Sequence, residues 1–202
     1  MWTLLHVHLR LRMKAYPNSA QKRLLDIIVS LLALPFAIIA IALGALAILL
    51  TDGSRVFYTQ KRVGKNGVPF TLFKLRTLRI SANDDLSGMR PNDPDVLFVG
   101  RFLRIWRIDE LPQIWNILKG DMSWVGPRPE RPHIVERCAL EIPNYNLRHS
   151  VAPGITGWAQ IHNPDATPND NAIKLGYDLE YIQMAGLKKD VLILWKTLVA
   201  IG

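Results

Sequence analysis

The stretch from Ile27 to Leu50 (IIVSLLALPFAIIAIALGALAILL) contains no charged residue, and it limits what the rest of the chain can become. As a helix its 24 residues measure about 36 Å, enough to cross a hydrocarbon core of about 30 Å. A core helix of a soluble domain is a poor account of so long an uncharged run. The flanks argue against a simple crossing. Lys22 and Arg23 precede the run, and Arg55, Lys61, Arg62, Lys65, Lys74, Arg76 and Arg79 follow it, so both ends are expected on the cytoplasmic side. Pro35 lies inside the run, where it removes a backbone hydrogen bond and bends a helix. A helix that enters, breaks at Pro35 and leaves by the same face satisfies both observations. A straight span with a tolerated proline is the competing arrangement.

The chain has 202 residues, which fits one domain beside the hydrophobic segment. We expect an N-terminal segment at 1–20, a re-entrant membrane helix at 21–52 and a cytosolic catalytic domain at 53–202. The net charge of +8 calls for an anionic partner, and the 49% apolar composition favours a membrane surface and phosphorylated substrates over nucleic acid. Cys138 is the only cysteine, so no internal disulfide is available. Residues 1–16 alternate apolar with His or Arg, as a strand or a membrane-surface segment would. His6 and His8 in that stretch gather no further ligands and read as non-metal positions, and Met13 is an alternative start. The apolar run is too long for a cleaved leader and lacks a small-residue cleavage site, so it is expected to be retained.

Beyond the run, Val56–Gln60 and Phe70–Thr77 read as strands joined by a turn containing Asn66-Gly67. Alternation places Lys74 and Arg76 on one strand face, as a guarded edge or as a two-pronged diphosphate clamp. Residues 81–95 are polar and rich in Pro and Gly, a loop. Phe98–Ile108 reads as an interfacial helix with Arg101, Arg104 and Arg107 at three-residue spacing.

Next come Asp109-Glu110-Leu111-Pro112-Gln113. Pro112 is tolerated only in a first helical turn, so a helix is expected to start at Asp109 as its N-cap and to run through Leu118. Taken alone, the pair is a cap with surface ion pairs. Beside Arg104 and Arg107 it also suits phosphate chemistry with a divalent metal. Gly126-Pro127-Arg128-Pro129-Glu130 is a rigid turn that holds Arg128 and Glu130 in place. Ala172–Met184 and Leu187–Ile201 read as helices, the second amphipathic. The expected class is α+β, mainly helical: a proline-broken membrane helix, a β-hairpin, and a catalytic domain with interfacial amphipathic helices.

The motifs Lys22-Arg23-Leu24-Leu25-Asp26, Phe73-Lys74-Leu75-Arg76-Thr77, Asp109-Glu110-Leu111-Pro112-Gln113, Val125-Gly126-Pro127-Arg128-Pro129 and Pro153-Gly154-Ile155-Thr156-Gly157-Trp158-Ala159-Gln160 occur in this order. Together they resemble the bacterial sugar transferases, the monotopic phosphoglycosyl transferases, in their small form with a catalytic core alone. The resemblance implies transfer of sugar-1-phosphate from a UDP-sugar to polyprenyl (undecaprenyl) phosphate, with release of UMP, as the first membrane step of glycoconjugate assembly. It implies Mg²⁺ as cofactor, held by Asp109 with Glu110. Asp109 would be the nucleophile and Glu110 its assistant, while Lys74, Arg76, Arg104, Gln113, Arg128 and Glu130 would bind phosphate or substrate. It also implies residence in the bacterial inner membrane with the active site at the cytoplasmic face. A homodimer is left open, because the apolar helices suit lipid or a second subunit.

Two positions depart from the family pattern. Leu34 stands where Ser often precedes the proline, and Ala152 stands where some members carry a basic residue, so one nucleotide or phosphate contact is either missing or supplied by Arg148. Two other functions compete. A basic membrane-anchored adaptor explains the charge and the apolar run but not the Asp109-Glu110 pair. A metal-dependent nucleotide-sugar hydrolase needs the same residues and differs only in admitting water.

Overall fold

The computed structural model describes residues 15–53, 55–79, 95–164, 167 and 170–201. The expectations for residues 1–14, including His6 and His8, and for nearly all of the 81–95 loop lie outside them. Among the described residues the fold is mostly helical with two small sheets.

One long helix, α1 (Ala20–Asp52), dominates. The Ser19 side chain caps its start by accepting from the Lys22 amide, and Gly53 ends it in the left-handed conformation with φ 62°. Pro35 sits inside this helix and does not end it. One face is buried along its whole length through Lys22, Asp26, Ser30, Ala37, Gly44 and Ile48. The other face, with Leu31, Leu32, Phe36, Ile39, Leu43 and Leu50, is exposed, and α1 is long and apolar enough to cross a membrane.

Polar groups anchor the first turns of α1. Lys22 Nζ lies 2.7 Å from Asp190 and 3.4 Å from Asp26. Asp26 also accepts from the Ser123 hydroxyl (2.9 Å) and the Trp124 amide (3.1 Å), and the Trp124 indole donates to Ser30 (2.9 Å). Tyr181 and Tyr16 donate their hydroxyls to Asp190. The Arg23 guanidinium donates to the carbonyls of Ile117 and Leu118. Charges this deeply buried need donors and opposite charge close by, which these bonds supply.

The far end of α1 is held by apolar packing and one ion pair. Ile48 packs with Leu75 and Leu103. Gly44 admits that contact, since a Cβ there would stand 2.9 Å from a Leu75 methyl. Asp52 pairs with Arg76.

Strands β1 (Phe57–Val63) and β2 (Pro69–Leu75) are antiparallel, with Tyr58 opposite Lys74 and Val63 opposite Pro69. Asn66 and Gly67 in their connection take positive φ, as the sequence of the turn requires. Phe70 and Leu72 face Ile117 and Met122 on one side, while Leu75 faces α1 on the other. Helix α2 (Phe98–Ile105) ends earlier than expected. Arg107 adopts φ 52°, so Arg107 leaves the face that Arg101 and Arg104 were expected to share with it.

After α3 (Ile114–Lys119), strands β3 (Ser123–Val125) and β4 (Gly154–Thr156) form a short parallel pair, flanked in sequence by α4 (Pro132–Glu141) and α5 (Trp158–His162). The chain closes with α6 (Asn171–Met184) and α7 (Leu187–Ile201). Exposed apolar side chains gather on α2 (Phe98, Phe102, Ile105) and on α7 (Val191, Trp195, Leu198), the composition of helices that rest on lipid.

Candidate active site

Asp109 and Glu110 lie in a 3₁₀ segment, Ile108–Gln113, that leads directly into α3. Asp109 is therefore not an N-cap. Arg107 occupies the cap in a left-handed conformation with no side-chain cap bond, and the two acids sit in the first turn behind it. Pro112 in this segment explains the 3₁₀ geometry, because it has no amide hydrogen for an α-helical bond. Both acids are buried, Asp109 at 7% and Glu110 at 6% exposure. Gln113 lies three residues beyond Glu110, the spacing that aligns side chains on a 3₁₀ turn, and it is buried as well.

Two cations converge on one oxygen. Glu110 Oε1 accepts from Lys74 Nζ and from Arg128 Nη2, each at 2.8 Å, and Arg107 Nη1 stands 4.0 Å from Oε2. Burial would raise the Glu110 carboxyl, but Arg128 and Lys74 overcome it and hold Glu110 well below the usual carboxylate range. Asp109 moves the other way. Burial lifts it, the neighbouring Glu110 charge adds to the rise, and Lys74, Arg104 and Arg128 only partly oppose it. Adjacent carboxylates with opposite shifts are an arrangement typical of catalytic pairs.

The expected two-pronged clamp on β2 does not form. Lys74 projects on the Leu72 face and reaches Glu110, but Arg76, one residue past the end of β2, does not join it there. Arg76 is 6% exposed and donates to Asp52 and to the carbonyls of Arg55 and Leu78. Glu130 also points away from the pair, toward Lys174 at 3.4 Å and Arg62 at 3.9 Å. Arg104 Nε donates to the Thr77 hydroxyl (2.9 Å) and contributes its charge to Asp109. Arg148 does not supply the contact expected to replace the basic residue at position 152. Its guanidinium is buried against Asp178 (2.7 Å) and the Tyr145 hydroxyl (3.0 Å).

Asn116 went unassigned in the sequence and has a clear structural task. Fully buried, it donates to the Thr71 carbonyl (2.7 Å) and accepts from the Phe73 amide (3.2 Å), which ties β2 to α3 and so sets Lys74 against Glu110.

The pair also suits a divalent cation. Glu110 Oε2 is buried without a hydrogen-bond partner, and Asp109 is its neighbour in the same turn. Among the described residues no group of three or more His, Cys, Asp or Glu side chains forms a metal cluster. Mg²⁺ needs no such cluster, since it commonly binds through one or two carboxylates, water and substrate phosphate.

A buried carboxylate pair ringed by Lys and Arg thus sits in a fold tied to a helix long and apolar enough to cross a membrane. The family description "Bacterial sugar transferase" matches residues 17–202, and the chain belongs to that family. It is 41% identical, over 88% of its length, to a UDP-N-acetylgalactosamine-undecaprenyl-phosphate N-acetylgalactosaminephosphotransferase of Aeromonas hydrophila. It is 38% identical, over 89% of its length, to a UDP-glucose:undecaprenyl-phosphate glucose-1-phosphate transferase of Escherichia coli K12. The chain spans 42% and 40% of the length of these two relatives. It covers 84% of the sugar transferase EpsL of Bacillus subtilis, at 37% identity.

Proposed function

We propose that this protein transfers sugar-1-phosphate from a UDP-sugar to polyprenyl phosphate and releases UMP. The observation that carries this reading is the Glu110 carboxylate locked by Lys74 and Arg128 beside a buried Asp109 of raised basicity. An anionic nucleophile approaching a diphosphate meets strong repulsion, and cations fixed in advance remove it.

In the proposed reaction an Asp109 carboxylate oxygen attacks the sugar-bearing phosphorus of the donor. The new O–P bond forms as the bridging P–O bond breaks, and UMP leaves with the bonding electrons. A phosphate oxygen of the polyprenyl phosphate then attacks the same phosphorus, which frees the Asp109 carboxylate and yields polyprenyl-diphosphate-sugar. Arg128, Lys74 and Arg104 balance the charge that shifts to the leaving phosphate. Asp109 and Glu110 would hold Mg²⁺, whose chemistry there is to neutralise diphosphate oxygens. One site that meets a soluble donor and a lipid acceptor in turn gives ping-pong kinetics.

For the membrane arrangement, we infer a helix that enters and leaves by one face, with its bend at Pro35 and the site at the cytoplasmic surface of the bacterial inner membrane. Two observations support it. Cationic residues flank both ends of α1, and both ends are tied to the same domain, through Lys22–Asp190 and through Asp52–Arg76. A straight helix of 33 residues would measure about 50 Å, and a crossing would demand one domain on both faces of the bilayer.

The test is UMP release from a panel of UDP-sugars with and without undecaprenyl phosphate. UMP that requires acceptor for turnover and is lost in Asp109→Asn supports transfer. Full turnover without acceptor would make the protein a hydrolase, and no release from any donor would favour a binding adaptor.

A further inference from the structure

Arg128 owes its place to the peptide around it, and that peptide is held in an unusual way. Four consecutive carbonyls, from Pro127 to Glu130, each accept a hydrogen bond, from β4, from Arg148 and from the end of β1. Pro127 O takes the Gly154 amide (2.9 Å) and Glu130 O takes the Val63 amide (2.9 Å). The two carbonyls between them are held by guanidinium groups. Arg148 Nη2 donates to Arg128 O (3.0 Å), and Arg62 Nη1 donates to Pro129 O (3.0 Å).

Neither arginine lies where solvent charge alone would place it. The Arg148 side chain is 3% exposed and its partner Asp178 2% exposed. A buried ion pair of this kind adds little stability over apolar residues of similar size, so its retention calls for another reason. The geometry supplies one. Arg148 serves three partners at once: Nε and Nη2 both reach Asp178 Oδ2 (2.9 and 2.7 Å), Nη1 donates to the Tyr145 hydroxyl, and Nη2 also donates to the Arg128 carbonyl. Only a planar fork reaches all three, and a lysine cannot. Arg62 likewise divides itself between Gln60 Oε1 (2.7 Å) and the Pro129 carbonyl. The Arg128 side chain, by contrast, is 42% exposed and meets protein only through Glu110 among its described ion pairs. A half-exposed guanidinium can hold a fixed position only if its backbone is fixed first.

We infer that Arg148 and Arg62 are positioning residues for the phosphate-handling cation. They fix the Arg128 and Pro129 carbonyls, and through them the point at which the Arg128 guanidinium meets Glu110 and the donor diphosphate. The second half of this inference rests on the transferase reading, while the first concerns the loop alone.

The experiment uses the full chain in nanodiscs, with Arg148→Lys and Arg62→Lys made singly and in an Arg128→Ala background. Each single variant is expected to lower kcat/KM for the UDP-sugar by about 10- to 100-fold and to speed amide exchange at Val63 and Gly154, whose N–H groups bond the Glu130 and Pro127 carbonyls of the same loop. In the Arg128→Ala background the same substitutions are expected to cost no further activity, because the residue they act through is gone. Losses that multiply in that background would overturn the inference, as would unchanged exchange at Val63 and Gly154. If Arg148→Lys does not fold, Arg62→Lys makes the same comparison from a strand residue. If the unmodified protein releases UMP from no donor, the transferase reading falls, and the exchange measurement still decides whether the two arginines hold the loop.

Discussion

Arg128 and Lys74 reach the same oxygen of Glu110, each at 2.8 Å, from a proline-bounded turn and from a β-strand. The site is therefore assembled from three separate segments around one carboxylate, and its charge is set before substrate arrives. Glu110→Gln removes the charge that both cations face. We expect kcat to fall about 10²- to 10³-fold and folding stability to drop by about 3 kcal/mol, measured by UMP release and by chemical denaturation. Unchanged turnover would contradict the arrangement.

The opposite shifts of the two acids predict opposite effects on stability. Glu110 is held below its ordinary 4.5, so its contribution is present above pH 4.5 and is lost as pH falls through its folded value. Asp109 is lifted above its ordinary 3.8, so its ionisation costs stability once pH exceeds 3.8. At pH 7, Asp109→Asn is expected to melt above the unmodified protein and Glu110→Gln below it. Activity should rise with pH through an Asp109 ionisation lifted above its ordinary 3.8 by burial and by Glu110, because only the carboxylate attacks. A pH–rate profile that is flat down to pH 4 would contradict this assignment.

Arg76 tests a different point. Its guanidinium fastens the exit of α1 to the end of β2 through Asp52. Arg76→Ala should cost roughly 2 to 3 kcal/mol of stability, less than a fully buried pair because the Asp52 side chain is 26% exposed. The folded fraction should keep its KM for donor. A large rise in KM at unchanged stability would return Arg76 to the phosphate site.

The inferred topology makes a simple demand. In a Cys138→Ala background, Ala20→Cys and Ser54→Cys should react with an impermeant thiol reagent from the same side of a sealed vesicle. Pro35→Ala should remove the bend and move one of the two labels to the other side. Labels on opposite faces of the unmodified helix would refute re-entry.

Much of this was legible in the residues because it depends on local chemistry. The uncharged run from Ile27 to Leu50 becomes one helix for reasons of composition alone, and Gly120 ends α3 with φ 98°, as a C-terminal glycine should. The Asp109-Glu110 pair stood out because two acids between arginines and a proline are uncommon as a mere cap. What stayed hidden depends on distant partners. Lys22 could not be matched to Asp190 at the other end of the chain, nor Arg76 to Asp52, because a charge carries no sign of which opposite charge will approach it. Strand alternation placed Arg76 beside Lys74, but Asp52 and the carbonyls of Arg55 and Leu78 take up its guanidinium. The cap at Arg107 was missed because its left-handed backbone is rare outside Gly and Asn.

The account turns on covalent capture of the sugar phosphate by Asp109, and a donor-only reaction tests it most directly. Enzyme mixed with a UDP-sugar and Mg²⁺, without acceptor, should release about one UMP per active site and stop. Peptide mass spectrometry should then find the phosphosugar on Asp109, and undecaprenyl phosphate should discharge it. No burst and no label, with UMP appearing only when donor and acceptor are both present, would contradict the covalent mechanism.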